Sequence, residues 1–143
     1  REDDMAVEFI DVGNEPQLEK GHGKKILTNS RSFHTWIHGD YAGDKGTMHK
    51  HTADQTFYCI EGECTFHFPD GSSRKLKPGM LVHIGAGELY QLENTGGGYM
   101  KLLGTRAEDG KNPRYLDTGD KVAINRSAEQ VAEIEKAKAK AKA

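Results

Sequence analysis

Short runs of β-type residues, separated by glycine-containing turns, fill the middle of the chain. Each run has the length of a strand, and the runs recur every ~8–12 residues with turn signals between them, a pattern typical of an all-β sandwich or barrel. The Asp-Gly pair within PDGS at 69–72 predicts a hairpin between two of the runs. The predicted strands cover residues 32–38, 47–51, 55–62, 64–68, 80–85, 89–94 and 99–104.

Beyond residue 105 the pattern changes to polar, turn-rich sequence and then to a helical one. Ser127 with Gln130 three residues later is a capping box, which marks the start of a helix. Val131 and Ile134 give that helix a single apolar stripe, which we expect to dock against the rest of the protein. The sequence therefore predicts a C-terminal α-helix with an Ala/Lys-rich tail over residues 127–143.

A length of 143 residues indicates one domain, which we place at residues 5–126. Residues 1–4 precede Met5, and we expect them to be vector-derived or processed. No apolar run approaches the ~20 residues of a membrane-spanning helix, and no secretory apolar segment opens the chain, so we expect a cytoplasmic protein. The net charge is −2 and the basic excess lies in the terminal tail, which argues against nucleic acid as a partner. Cys59 and Cys64 lack CxxC spacing and are predicted to be buried, reduced thiols.

The segment GTMHKHTADQTFYCIEG at 46–62 holds the residues most suited to chemistry. His49 and His51 are two positions apart, so on a strand their imidazoles point to the same face, as a pair of metal ligands would. A nearby carboxylate is the usual third ligand. The chain has Gln55 instead, whose neutral oxygen lacks the negative charge of a carboxylate.

Two spaced sets of residues make the chain resemble the cupin superfamily over about residues 40–104. The first cupin motif has a glycine, a His-x-His pair, a glutamate and a glycine, and the second has a glycine, a proline, a glycine, a histidine and an asparagine. In this chain the first motif is Gly43, His49, His51, Gln55 and Gly62, and the second is Gly79, Gly85, Gly87, Tyr90 and Asn94. Every interval is kept, while Gln55, Gly85 and Tyr90 replace the usual glutamate, proline and third histidine. The resemblance implies a small single-domain cupin, an antiparallel double-stranded β-helix or jelly-roll barrel.

The resemblance also implies one transition metal per chain, held at His49, His51, Gln55 and Tyr90. Imidazole donors leave the choice among Fe, Mn, Ni, Cu and Zn open. All four side chains could ligate. Alternatively, the first three hold the metal while Tyr90 serves as the catalytic proton donor or acceptor beside it, since a phenol with a pKa near ~10 is a poor ligand when neutral. In the third alternative the metal site has been lost and the barrel is a ligand-binding shell.

Strand alternation predicts which neighbours line the interior. If Gln55 points inward, so do Phe57 and Cys59. If Tyr90 points inward, so does Leu92. We therefore predict Phe57, Cys59 and Leu92 as substrate-binding residues, with Trp36 at the mouth of the barrel. The simpler alternative is that these side chains only fill the barrel. The histidines outside the motifs are predicted to be surface or hydrogen-bonded strand residues.

The functional expectation is a metal-dependent enzyme acting on a small organic molecule, with dioxygenase- or oxidase-type chemistry slightly favoured. A non-oxidative lyase, isomerase or dehydratase that uses the metal as a Lewis acid is the first alternative. A non-enzymatic small-molecule-binding cupin is the second. Small cupins commonly dimerise through an outer sheet face, so we expect a homodimer that covers the outward-facing Tyr58 and Ile60.

Overall fold

Residues 7–18 and 23–108 are described by the computed structural model, and they form eight β-strands and a short 3₁₀ turn. The predicted all-β class is confirmed. The turn covers Val12–Asn14. The strands are β1 (Gly23–Asn29), β2 (His34–Asp40), β3 (Gln55–Glu61), β4 (Cys64–His67), β5 (Ser73–Leu76), β6 (Leu81–Ile84), β7 (Gln91–Glu93) and β8 (Met100–Arg106).

The strands form two antiparallel sheets of unequal size. The larger has the order β1-β2-β8-β3-β6, and the smaller has the order β5-β4-β7. The central position of β8, the last described strand, matters for the site. Its final residue, Arg106, lies opposite His34 of β2 on one side and opposite Gln55 of β3 on the other.

The hydrophobic core lies between the two sheets and takes residues from both. Alternation on β3 is as predicted, because Phe57 and Cys59 are buried while Tyr58 is 41% exposed. Burial raises the pKa of the Cys59 thiol to about 11 and that of Cys64 to about 12, and neither cysteine is in a disulfide. The buried cluster consists of Trp36, Phe57, Cys59, Cys64, Phe66, Leu76, Ile84, Tyr90, Leu92, Met100 and Leu102.

Two glycines permit close approaches that a side chain would block. Gly62 has φ +80°, and a Cβ there would lie 2.5 Å from the carbonyl oxygen of Tyr99. Gly104 lies under the indole of Trp36, where a Cβ would come within 2.4 Å of two ring atoms. The glycine in β8 is therefore what allows Trp36 to lie flat against the sheet.

Some predicted elements differ from the structure or lie outside it. Residues 47–51 form no strand, although His49 in this segment makes an isolated bridge with Tyr90. Strands β1 and β5 were not predicted. The helix expected at 127–143 and the extra residues expected at 1–4 lie outside the described residues. Residues 7–18 and 23–108 contain no helix of the length and apolarity needed to cross a membrane.

Candidate functional site

His49 and Tyr90 face each other across two adjacent chain segments. Each backbone amide donates to the carbonyl of the other residue at 2.9 Å, so the two side chains leave the pair on the same side. Their ring centroids are 4.5 Å apart, and the side chains are buried, with exposures of 5% and 2%. His49 Nδ1 lies 2.6 Å from the carbonyl oxygen of Thr47. Because a carbonyl only accepts, Nδ1 carries the proton, and in the neutral ring Nε2 carries the lone pair.

Hydrogen bonds donated by two backbone amides of the second motif connect it to the first motif beside this pair. The amide of Gly87 donates to the carbonyl of His51 at 2.8 Å. The amide of Ala86 donates to a carboxylate oxygen of Asp54, also at 2.8 Å. These bonds place the turn of the second motif directly against His51 of the first motif.

His51 and Gln55 both contact a residue that sequence reasoning did not single out, Arg106. The Arg106 Nε donates to Gln55 Oε1 at 3.0 Å, and Nη2 lies 3.2 Å from His51 Nε2. An arginine only donates, so His51 Nε2 is the acceptor and the neutral ring carries its proton on Nδ1. All three side chains are buried, with exposures of 3%, 3% and 6% for His51, Gln55 and Arg106.

Further contacts hold the guanidinium in place. Its Nη1 lies 3.4 Å from a carboxylate oxygen of Glu108, and its Cζ lies 4.7 Å from the centre of the Trp36 ring. Trp36 in turn stacks on His34 at 4.8 Å. His34 Nδ1 donates to the Glu108 carbonyl at 2.8 Å, as predicted for a hydrogen-bonded strand histidine, and burial lowers its pKa. The cation is thus surrounded by one carboxylate, one aromatic face and two neutral acceptors.

The donor set does not fit a metal ion in this arrangement. A metal bound by Gln55 Oε1 and His51 Nε2 would lie about 2.0–2.2 Å from both atoms, with their lone pairs directed at it. Both atoms instead receive hydrogen bonds from Arg106. Among residues 7–18 and 23–108 no three His, Cys, Asp or Glu side chains come together in a group that could hold a metal. A metal at the predicted position therefore requires Arg106 to leave it.

The other predicted site residues are buried around this centre at different distances. Phe57 lies next to it, with its ring 6.4 Å from Tyr90 and 5.6 Å from Trp36. Trp36 is 2% exposed and packs inside the barrel. Leu92 follows Tyr90 into β7 opposite Phe66. Cys59 lies two inward positions farther along β3 than Gln55, with its thiol 3.5 Å from the Gly62 carbonyl. Their role in binding a substrate stays a prediction.

Arg106 could have been found from the alternation of β8. Alternate residues of β8 point to the same face of the sheet, and these are Met100, Leu102, Gly104 and Arg106. The first two belong to the core. A charged residue that continues an inward-facing series is the signal of a buried functional or paired charge. The predicted strand ended at residue 104, so the series stopped two residues before the arginine.

Comparison with known proteins gives one curated relative and many solved structures of the same fold. The quercetin 2,3-dioxygenase of Bacillus subtilis strain 168 is 28% identical over 134 residues, which cover 82% of this chain and 36% of that protein. The chain thus spans about a third of the length of that curated relative.

Two solved structures show the range of the structural likeness. An uncharacterised double-stranded β-helix protein from Klebsiella pneumoniae superposes with a TM-score of 0.65 at 18% identity, covering 77% of this chain and 96% of that one. The DMSP lyase DddQ from Ruegeria pomeroyi gives a TM-score of 0.54 at 21% identity, covering 63% of this chain and 45% of that one. At these identities the likeness concerns the fold alone.

A family model matches the part of the chain that contains both motifs. The family model described as a cupin domain matches residues 39–105, which run from the end of β2 to the end of β8 and include every motif residue. This match, together with the shared fold, places this part of the chain in the cupin superfamily.

Proposed function

We propose that this chain is an enzyme that transfers protons on a small organic molecule bound inside the barrel, in a non-oxidative isomerisation or elimination. The observation that carries the proposal is the His49–Tyr90 pair. The ring centres of these two proton-carrying side chains are 4.5 Å apart. Phe57 and Phe66 of the apolar core lie 6.4 and 5.8 Å from the Tyr90 ring, and the buried His51 ring lies 4.9 Å from that of His49. Burying such groups is costly unless they are hydrogen-bonded, and convergent polar groups in an apolar interior are typical of a functional site.

The protonation states suit a division between base and acid. The hydrogen bond from His49 Nδ1 to Thr47 leaves the lone pair of the neutral ring on Nε2, the atom that can take a proton from carbon. The Tyr90 hydroxyl can give a proton to a carbonyl or hydroxyl oxygen of the same molecule. The electron pair of the broken C–H bond becomes the new C=C bond, while Tyr90 protonates either the carbonyl oxygen, which gives the enol, or the hydroxyl group, which leaves as water. Passage of one proton from the His49 imidazolium to the Tyr90 phenolate then restores the protein, and no oxidant or reductant is needed.

Hydrogen exchange tests this proposal without knowledge of the substrate. A panel of small ketones and hydroxy acids is incubated with the protein in D₂O, and loss of C–H signal is followed by ¹H NMR. We expect exchange into at least one compound, slowed about 10²–10⁴-fold by Tyr90→Phe. Tyr58→Phe, at an exposed tyrosine, is the matched control. Equal exchange rates in the two variants would remove Tyr90 from the mechanism, and binding without exchange would favour a non-enzymatic ligand-binding cupin.

A metal-dependent oxidative reaction is the second candidate, favoured by the 28% identity to a quercetin 2,3-dioxygenase across 82% of the chain. In this version His49, His51, Gln55 and Tyr90 are the candidate ligands, as the sequence predicts. Oxygen uptake is measured with quercetin as the probe after incubation with Fe, Mn, Ni, Cu or Zn. Metal-dependent uptake that is lost in His49→Ala would favour this candidate over the first.

We also propose a homodimer formed through the outer face of β3 and β6. Tyr58 lies opposite Leu81 in the β3–β6 ladder, and these side chains are 41% and 62% exposed, while Ile60 is partly buried. Light scattering on a sizing column should give twice the chain mass, and Leu81→Glu should shift it to the monomer mass. A monomer at all concentrations would contradict the proposal. The cytoplasmic location also stays a prediction.

A further inference from the structure

We propose that the guanidinium of Arg106 is the resident cation of this site and that it excludes a divalent metal from the predicted ligands. The inference rests on the positions of the site residues and holds whether or not the proposed proton transfer takes place. Arg106 directs two N–H groups at Gln55 Oε1 and His51 Nε2, at 3.0 and 3.2 Å. Oε1 is the atom through which a glutamine binds a metal, and Nε2 is one of the two ring nitrogens through which a histidine does.

The position of Arg106 is set by the sheet. β8 is paired on both sides, and Arg106 stands opposite Gln55 in β3 and opposite His34 in β2. Its side chain continues the inward series of Met100 and Leu102. With neighbouring strands about 4.8 Å apart, an inward arginine at this place has its head group at the level of Gln55.

The charge of Arg106 is permanent and its surroundings are built to hold it. A guanidinium does not lose its proton in proteins. Glu108 supplies the countercharge at 3.4 Å, and the face of Trp36 supplies a cation–π contact at 4.7 Å. Both the Arg106 and the Glu108 side chains are 7% exposed, so little solvent screening is present.

The identity of Gln55 agrees with a guanidinium better than with a metal. A carboxylate or thiolate ligand offsets part of the charge of a buried metal dication, and the neutral Gln55 provides no such charge. A guanidinium with one positive charge, already paired with Glu108, needs only neutral acceptors for its remaining N–H groups. Gln55 and the neutral tautomer of His51 are such acceptors.

Metal titration tests the exclusion directly. Tag-free protein is stripped with EDTA, dialysed and titrated with Co²⁺ by calorimetry, with elemental analysis and the Co²⁺ visible spectrum as separate readouts. We expect the unmodified protein to take up no stoichiometric Co²⁺. Arg106→Met should bind one Co²⁺ per chain at least about 100-fold more tightly, because the repulsion between two cations a few ångströms apart is removed. Adding His51→Ala to that variant should abolish the gain.

Two comparisons keep the test decisive. Arg74→Met removes an exposed arginine of β5 and should leave Co²⁺ uptake unchanged. If circular dichroism shows that Arg106→Met is unfolded, Arg106→Gln replaces it, since it keeps a polar side chain among the buried partners. One Co²⁺ per unmodified chain, lost in His51→Ala, would overturn the inference. A folded Arg106 variant with no gain in Co²⁺ affinity would overturn it as well.

Discussion

Replacement of Gly104 by alanine should displace the only tryptophan of the protein. The new Cβ would lie 2.4 Å from Cε2 and Cζ2 of Trp36, whereas carbon atoms in contact are about 3.5–4.0 Å apart. The ring must therefore move by roughly 1 Å or more. Its surroundings oppose that movement, because it stacks on His34 at 4.8 Å and meets the edge of Phe57 at 5.6 Å.

The size of the effect follows from the cost of overpacking a filled core. Inserting a methyl group that forces neighbours to shift costs about 1–3 kcal/mol of unfolding free energy. We expect the upper half of that range for Gly104→Ala, since the clash is with a rigid ring and that ring also contacts the cationic groups of Lys24 and Arg106. The corresponding loss of Tm is about 4 °C for each kcal/mol.

Urea unfolding followed by tryptophan fluorescence measures both the loss of stability and the displacement of the ring, because Trp36 is the only tryptophan in the sequence. The unmodified protein should emit at short wavelength, since the ring is 2% exposed, and Gly104→Ala should shift the emission to the red. Gly98→Ala is the control, as no atom lies within 4 Å of its Cβ position. Stability within about 0.5 kcal/mol of the unmodified protein, with unchanged emission, would refute the placement of the ring.

Three other outcomes follow from buried polar groups. Cys59 and Cys64, with pKa values of about 11 and 12, should resist iodoacetamide at pH 8 until urea unfolds the protein. Reaction of the native protein at the rate of a free thiol would contradict their burial. The lowered pKa of His34 means that the unfolded chain binds more protons, so its contribution to stability is present above about pH 6.5 and is lost as pH falls through the lowered native value. Between pH 7 and 5, urea unfolding should therefore show a steeper loss of unfolding free energy in the unmodified protein than in His34→Gln. The same pH dependence in both proteins would contradict this role of His34. Asn94→Ala should lower the free energy of unfolding by at least about 2–3 kcal/mol, because Nδ2 donates to the Asp40 and Gly98 carbonyls at 2.9 and 2.8 Å. A change near zero in the same urea assay would show that water replaces the amide.

Local sequence rules were sufficient for the parts of the fold that depend on local geometry. Alternation placed Phe57 inward and Tyr58 outward because β3 is buried on one face only. The spaced glycines identified the turns because positive φ is needed there, at +80° for Gly62 and +83° for Gly87. Strand β1 was missed because it reads GKKILTN, with two lysines and no buried position among its seven residues.

The candidate site could be predicted only in part, because its composition depends on register between distant strands. The His-x-His spacing correctly indicated two buried imidazoles, although only His49 takes part in a bridge and no strand forms there. The neighbour that decides what those imidazoles contact is Arg106, which is 55 residues from His51 in sequence. Only the pairing of β8 with β3 brings the two together, and no local pattern around either residue specifies that pairing.

The departures from the usual cupin residues lie on two sides of His51 and affect different properties of the site. On one side, Gln55 and Arg106 fix a charge that cannot titrate and that is paired with Glu108. On the other side, the ring of Tyr90 lies 6.1 Å from that of His51 and 4.5 Å from that of His49, its partner in the proposed proton transfer. A metal ion would serve both purposes at once, by supplying charge and by acidifying what binds to it. Under the two proposals, charge and proton transfer are assigned to separate side chains while the backbone intervals of both motifs are kept, so Arg106→Met and Tyr90→Phe should affect metal uptake and hydrogen exchange independently.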